Sequence, residues 1–185
     1  TQKYHLRVLA FTFDNGFVSP AAFKNVRTVA ENLNVDHIII KPRFDVLRQI
    51  FRASLEPDMY PPRALERASA ICNSCMALAK GIALRIALNW HLPMLAYGWS
   101  PGQIPLASAH FRTNRRMLEA MIKTAKSPLA KAAGESIDVY FPETRQLAET
   151  QEFPYMVAPL AFLEYNEEKA LRRIRQLGWE RPRDT

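Results

Sequence analysis

Two thiols stand three residues apart in Cys72-Asn73-Ser74-Cys75, and they are the only cysteines of the chain. An i, i+3 spacing puts both on one side of a helix, and a helix N-terminus favours the thiolate form. Thiolates are what zinc, iron–sulfur clusters and thiol exchange all require. Two cysteines do not complete a tetrahedral site, so an iron–sulfur or zinc centre at Cys72 and Cys75 needs further ligands from elsewhere. The competing reading is a pair of small residues packed on the core face of a helix. Thioredoxin-like exchange has less support, because the pair follows a proline-rich loop rather than the first strand of a βαβ unit.

The second stretch that could do chemistry is Asp14-Asn15-Gly16, which offers a carboxylate, an amide and bare backbone in a turn that tolerates φ > 0. It ends Leu6 to Phe13, an apolar run that reads as a strand buried on both faces of a parallel sheet. Ser19-Pro20 then reads as an N-cap and first helical position, with Phe23, Val26, Ala30 and Leu33 at helical spacing. A loop at the carboxyl end of a strand is where open α/β sheets bind ligands. The same residues also suit a plain turn. Trp99-Ser100-Pro101-Gly102-Gln103, after a short strand Pro93 to Gly98, is a second loop of this kind.

Other chemistry is weakly signalled. His5, His37, His91 and His110 show no ligand spacing, Ser100 does not lie in a nucleophile elbow, and there is no Walker loop or GxGxxG. Arg112, Arg115, Arg116, Lys123 and Lys126 make a basic face that could follow a phosphate backbone or simply be solvated.

The elements that must position these residues read as strand, helix, strand, helix, the rhythm of βαβ units. Val35 to Lys41 is the second strand, and Phe44 to Leu55 the second helix, through Leu47, Ile50, Phe51 and Leu55. Ile71 to Trp90 is the longest helix, with Cys72, Cys75, Ala79, Ile82, Ala83, Ile86 and Trp90 on one face. Thr113 to Lys126 is amphipathic, capped by Thr113 or Asn114. Ile137 to Phe141 allows a strand, Tyr155 to Leu163 a strand entering a turn, and Asn166 caps a last helix closed by Gly178. Thr1 to His5 reads as the frayed end of a helix. A buried parallel strand so near the start is expected to be central, with a strand and helix before it.

The chain has 185 residues, 48% hydrophobic and 23% charged, which describes an ordinary folded protein rather than a disordered one. No apolar run is expected to cross a bilayer and no signal-peptide pattern opens the chain, so a cytoplasmic address without a membrane partner is the default expectation. A net charge of +7 permits an anionic partner.

With these residues in place, the chain resembles the PP-loop family of ATP pyrophosphatases, the adenine nucleotide alpha hydrolase-like proteins. The likeness rests on LAFTFDNGF at 9–17, the Ser19-Pro20 helix, VDHIIIKP at 35–42, CNSC at 72–75 and LPMLAYGWSPGQ at 92–103. It is most similar to the N-acetyl sugar amidotransferase-like and tRNA-thiolating branches. The resemblance implies an α/β fold with a three-layer, five-stranded parallel sheet flanked by helices and missing its first strand. It implies a nucleotide-binding core over residues 1–110 and a mostly helical part over 111–185 that completes the sheet.

By the same resemblance ATP, with magnesium, would lie at the strand ends, Thr12, Phe13, Asp14, Asn15 and Gly16 approaching the adenosine. Gly98, Trp99, Ser100 and Gln103 would line the pocket on the substrate side, for a sugar or a tRNA. Cys72 and Cys75 would be ligands of a [4Fe–4S] cluster, and the assembly could be a homodimer. The family's SGGxDS phosphate loop and third cysteine do not occur in this sequence. The chain therefore reads as an inactive fragment of an ATP-dependent amidotransferase or sulfurtransferase. The rivals are a non-catalytic nucleotide- or RNA-binding module and a zinc-stabilised partner-binding domain.

Overall fold

The structure is a computed structural model that describes residues 5–66 and 68–181. The expectations for Thr1 to Tyr4 and for the last four residues of the tail lie outside the described residues. The chain is a mixed α/β protein that divides into two compact units, Thr1–Pro42 with Asn166–Thr185, and Arg43–Tyr165.

The first unit is a parallel βαβ: β1 (Leu9–Phe13), α1 (Pro20–Asn32) and β2 (Asp36–Ile40), closed by α7 (Glu167–Gln176). β1 and β2 run in register from Leu9 opposite Asp36 to Phe13 opposite Ile40. Ser19 caps α1 as expected, its Oγ accepting from the Ala22 N–H at 3.1 Å, and Pro20 follows at the first helical position. Asn166 caps α7 by accepting from the Lys169 N–H at 2.8 Å.

Gly178, at φ 86°, lets the chain leave α7 against α1, where a Cβ would sit 2.5 Å from the Thr28 methyl. The Asn25 amide donates to the Glu180 carbonyl at 2.8 Å and accepts from its N–H at 2.9 Å, fixing that exit. The expected burial of β1 on both faces is not met. All five of its residues are only half-buried, because among the described residues β2 is its sole strand partner.

The second unit holds α2 (Phe44–Ala53), α3 (Pro62–Leu65), α4 (Ala70–Asn89), β3 (Met94–Ala96), β4 (His110–Arg112), α5 (Arg115–Ala133), α6 (Thr144–Glu149) and β5 (Tyr155–Val157). Its sheet has the order β3-β5-β4, with β3 parallel and β4 antiparallel to β5. Leu84, Leu88, Leu118, Leu147 and Met156 form one of its core clusters. At about 25 cal/mol per Å², each fully buried side chain of this kind contributes roughly 1.5–3 kcal/mol.

α4 corrects two expectations. Its buried residues are Ser74, Ala77, Leu78, Gly81, Ile82, Leu84, Ala87 and Leu88, so of the face named from the sequence only Ile82 is buried, and Trp90 is 56% exposed. The helix is apolar nearly all round, so hydrophobic spacing does not select a face. Small residues do: a Cβ on Gly81 would lie 2.7 Å from the Phe141 ring and 2.9 Å from the Tyr140 carbonyl oxygen. By length and composition alone α4 is also long and apolar enough to cross a membrane, where no such run was expected. Here it packs in the unit's own core and carries Lys80 and Arg85.

Ile137–Phe141 is not a strand. Gly134–Tyr140 is a 3₁₀ segment that buries Ile137 and Tyr140, a spacing of three rather than alternation. α5 runs past the expected end, through Pro128 to Ala133. The expected cap at its start is Asn114, whose Oδ1 accepts from the Met117 N–H at 2.9 Å.

Candidate nucleotide-binding turn and substrate-side loop

The Asp14-Asn15-Gly16 turn stands at the carboxyl end of β1, and the Asp14 N–H still donates to the Ile40 carbonyl at 2.9 Å. Beyond that bond the side chains hold the turn. The buried Asp14 carboxylate accepts from the Gly16 N–H at 2.8 Å, and Asn15 Oδ1 accepts from the Phe17 N–H at 3.0 Å. These are Asx turns, in which a short polar side chain stands in for backbone. Gly16 adopts φ 87°, a conformation that β-branched residues resist. The second Asp14 oxygen is 3.4 Å from Lys41 Nζ, so a cation lies just past the end of β2. Thr12 Oγ1 is hydrogen-bonded to His37 Nε2 at 2.9 Å across the two strands.

The N–H groups of Asp14, Gly16 and Phe17 are therefore engaged. The free edge of β1 keeps backbone groups that alternate away from β2 and have no strand partner among the described residues. Because the Asp14 N–H turns to β2, Thr12 does so too, and Phe11 and Phe13 are the residues whose backbone groups face that edge. Lys41 was missed in the sequence because it reads as the last residue of an apolar strand. Its position at the carboxyl end of β2, level with the turn, is the signal that could have found it.

The cysteine pair and the substrate-side loop belong to the second unit. Ser69 caps α4, its Oγ accepting from the Cys72 N–H at 3.2 Å, which places Cys72 and Cys75 in the first two turns. Cys72 is exposed and Cys75 is half-buried. Among the described residues no group of three or more Cys, His, Asp or Glu is gathered to hold a metal. A metal at this pair would need further ligands from elsewhere.

Ser100 to Gln103 forms a type II turn, with Pro101 and Gly102 (φ 85°) in the middle and the Gln103 N–H donating to the Ser100 carbonyl at 3.2 Å. Gln103 Oε1 accepts from the Ser100 N–H at 2.7 Å and from its Oγ at 2.9 Å, so both side chains stiffen the loop. Trp99 packs against Ala109, Ala158 and Ala161. Lys80, on α4, places its ammonium 5.3 Å from the Trp99 ring centre. Apolar groups crowding that ammonium lower its pKa, although part of the side chain stays in solvent. Space around Gly98 is open enough that a Cβ would meet nothing within 4 Å.

The fold is that of a mixed α/β protein with a loop following the carboxyl end of a strand in each unit. No family model, no curated protein and no solved structure matches the chain.

Proposed function

We propose that this chain carries the adenosine-side turn and the substrate-side loop of an ATP-dependent adenylating enzyme of the PP-loop type. In such chemistry ATP activates a carbon-bound oxygen as its adenylate and pyrophosphate leaves, after which ammonia or a sulfur donor displaces AMP. The observation that carries the reading is the parallel β1–α1–β2 unit with a braced Asp14-Asn15-Gly16 turn and Lys41 at the carboxyl ends of its strands. That end of a parallel pair collects the ligand-binding loops of open α/β sheets. Phe13 presents its backbone donor and acceptor to the base at the free edge of β1, and Gly16 leaves room for close approach. In the second unit Gly98, Trp99, Ser100 and Gln103 are the residues assigned to the substrate, with the Lys80 ammonium beside Trp99. The parallel pairs β1–β2 and β3–β5, each taken within its own unit, are the features on which the adenine nucleotide alpha hydrolase-like reading rests. A cytoplasmic location belongs to the same proposal.

Catalysis of this type is largely positioning and charge stabilisation, so magnesium would travel with the triphosphate rather than with a protein cage. Asp14 is already engaged by Gly16 and Lys41 and is not assigned to it. Nitrogen and sulfur transfer are separated by the cysteines. A brown anaerobic preparation with stoichiometric iron favours thiolation, and a colourless one without iron removes the cluster. The reading as a whole is tested by calorimetric titration with AMP and ATP. Saturable binding of adenosine nucleotides, in preference to GTP, is expected; absence of both contradicts it.

A further inference from the structure

The β3-β5-β4 sheet buries one face: Leu95, Phe111 and Met156 belong to the core of the second unit. Alternation along the strands sends their neighbours the other way. Met94, His110, Arg112 and Tyr155 are all exposed. Register sets Arg112 directly opposite Tyr155. The Tyr155 and His110 rings stack, 5.6 Å between centroids and 12° between planes, and the Arg112 guanidinium carbon lies 5.9 Å from the Tyr155 ring centre. A solvated sheet face therefore carries a ladder of imidazole, phenol and guanidinium.

A cleft of about 970 Å³ opens at this ladder, at the amino ends of β3 and β5, with Arg85, Arg112 and Tyr155 among its walls and Glu143 and Glu152 opposing them in charge. It lies at the end of the strands away from the Gly98–Gln103 loop. Ion pairs in this unit engage Arg43, Arg115, Lys126 and Arg145. Among the described residues Arg85 and Arg112 are in no ion pair, although Arg112 lies over the Tyr155 ring, so neither charge is neutralised by a carboxylate.

A ring stack on an exposed sheet face, beside guanidiniums outside any ion pair, matches a strand whose bases are unstacked and whose backbone is anionic. A duplex hides the bases. The glutamates would repel a backbone laid against them, which keeps phosphates on the arginine side and leaves carboxylates to accept from ribose 2′-hydroxyls. We propose that the outer face of the β3-β5-β4 sheet and its adjoining cleft bind single-stranded RNA. A base extends the His110–Tyr155–Arg112 ladder, and phosphates meet Arg85 and Arg112. This goes beyond the adenylation reading and does not depend on it.

The test is fluorescence anisotropy of a labelled oligouridylate of about twelve nucleotides, a length within the usual span of such sites, titrated with the full chain at low and moderate salt. Binding is expected to fall with salt, and the single strand to bind more tightly than duplex RNA or oligothymidylate. Tyr155→Ala and Arg112→Gln should each weaken it by about tenfold or more, while Tyr155→Phe keeps the ring and binds as the parent does. Excess AMP should not displace the oligonucleotide, so this proposal and the adenosine site fail separately. The proposal is overturned by no binding at low salt or by Tyr155→Ala and Arg112→Gln chains, folded by circular dichroism, that bind like the parent. Equal affinity for duplex RNA or for oligothymidylate overturns it as well.

Discussion

Lys41 stands 3.4 Å from Asp14, so the residue just past β2 braces the residue just past β1. The carboxylate is buried and the ammonium is largely exposed, so the bond to the Gly16 N–H matters more than the ion pair. Asp14→Ala is expected to cost about 1–3 kcal/mol in urea denaturation, because the turn loses a buried acceptor. Asp14→Asn, which keeps an acceptor oxygen, should cost less. An Asp14→Ala chain as stable as the parent would show that the turn holds itself.

Gly81 and Gly98 should respond oppositely to alanine. At Gly81 the new methyl would overlap the Phe141 ring and the Tyr140 carbonyl, and overpacking of this kind costs about 1–3 kcal/mol. At Gly98 it enters open space, and stability should stay within about 0.5 kcal/mol of the parent. Paired thermal melts measure both.

Tyr97 gives an alkaline signature. Its burial against the core raises the phenol to about 12, above the value near 10 of an exposed tyrosine. Between these two values the folded state holds a proton that the unfolded chain releases. Stability from this group is therefore intact below about pH 10 and is lost as pH rises towards about 12. Denaturation midpoints should fall across that window, and Tyr97→Phe should flatten the fall. An equal slope in both chains would place the loss elsewhere.

Local chemistry was legible wherever one residue type fixes one geometry. Ser19, Asn114 and Asn166 cap the helices they were expected to cap, and Gly16 and Gly178 adopt positive φ. The buried face of α4 was not legible, because an all-round apolar helix is oriented by small residues such as Gly81 meeting Phe141. The three-residue strand β4 was missed, since His110-Phe111-Arg112 is too short to alternate convincingly and draws its pairing from β5. The Arg112–Tyr155 pair depends on that same antiparallel register, so neither residue could be singled out before the sheet was known. Cys72 and Cys75 fell where expected on the helix, whereas partners for them are a matter of three-dimensional assembly.

Adenosine binding at the β1 turn is the central claim, and calorimetric titration of AMP into Gly16→Val and Asp36→Ala chains tests it most directly. Valine resists the φ of 87° found at Gly16 and would crowd a ligand against the backbone. Asp36 is exposed, pairs with Leu9 and lies at the opposite end of the strands from the turn. The account predicts that Gly16→Val abolishes nucleotide binding while Asp36→Ala retains the parent affinity. Parent-like binding by a Gly16→Val chain whose circular dichroism is unchanged would contradict it.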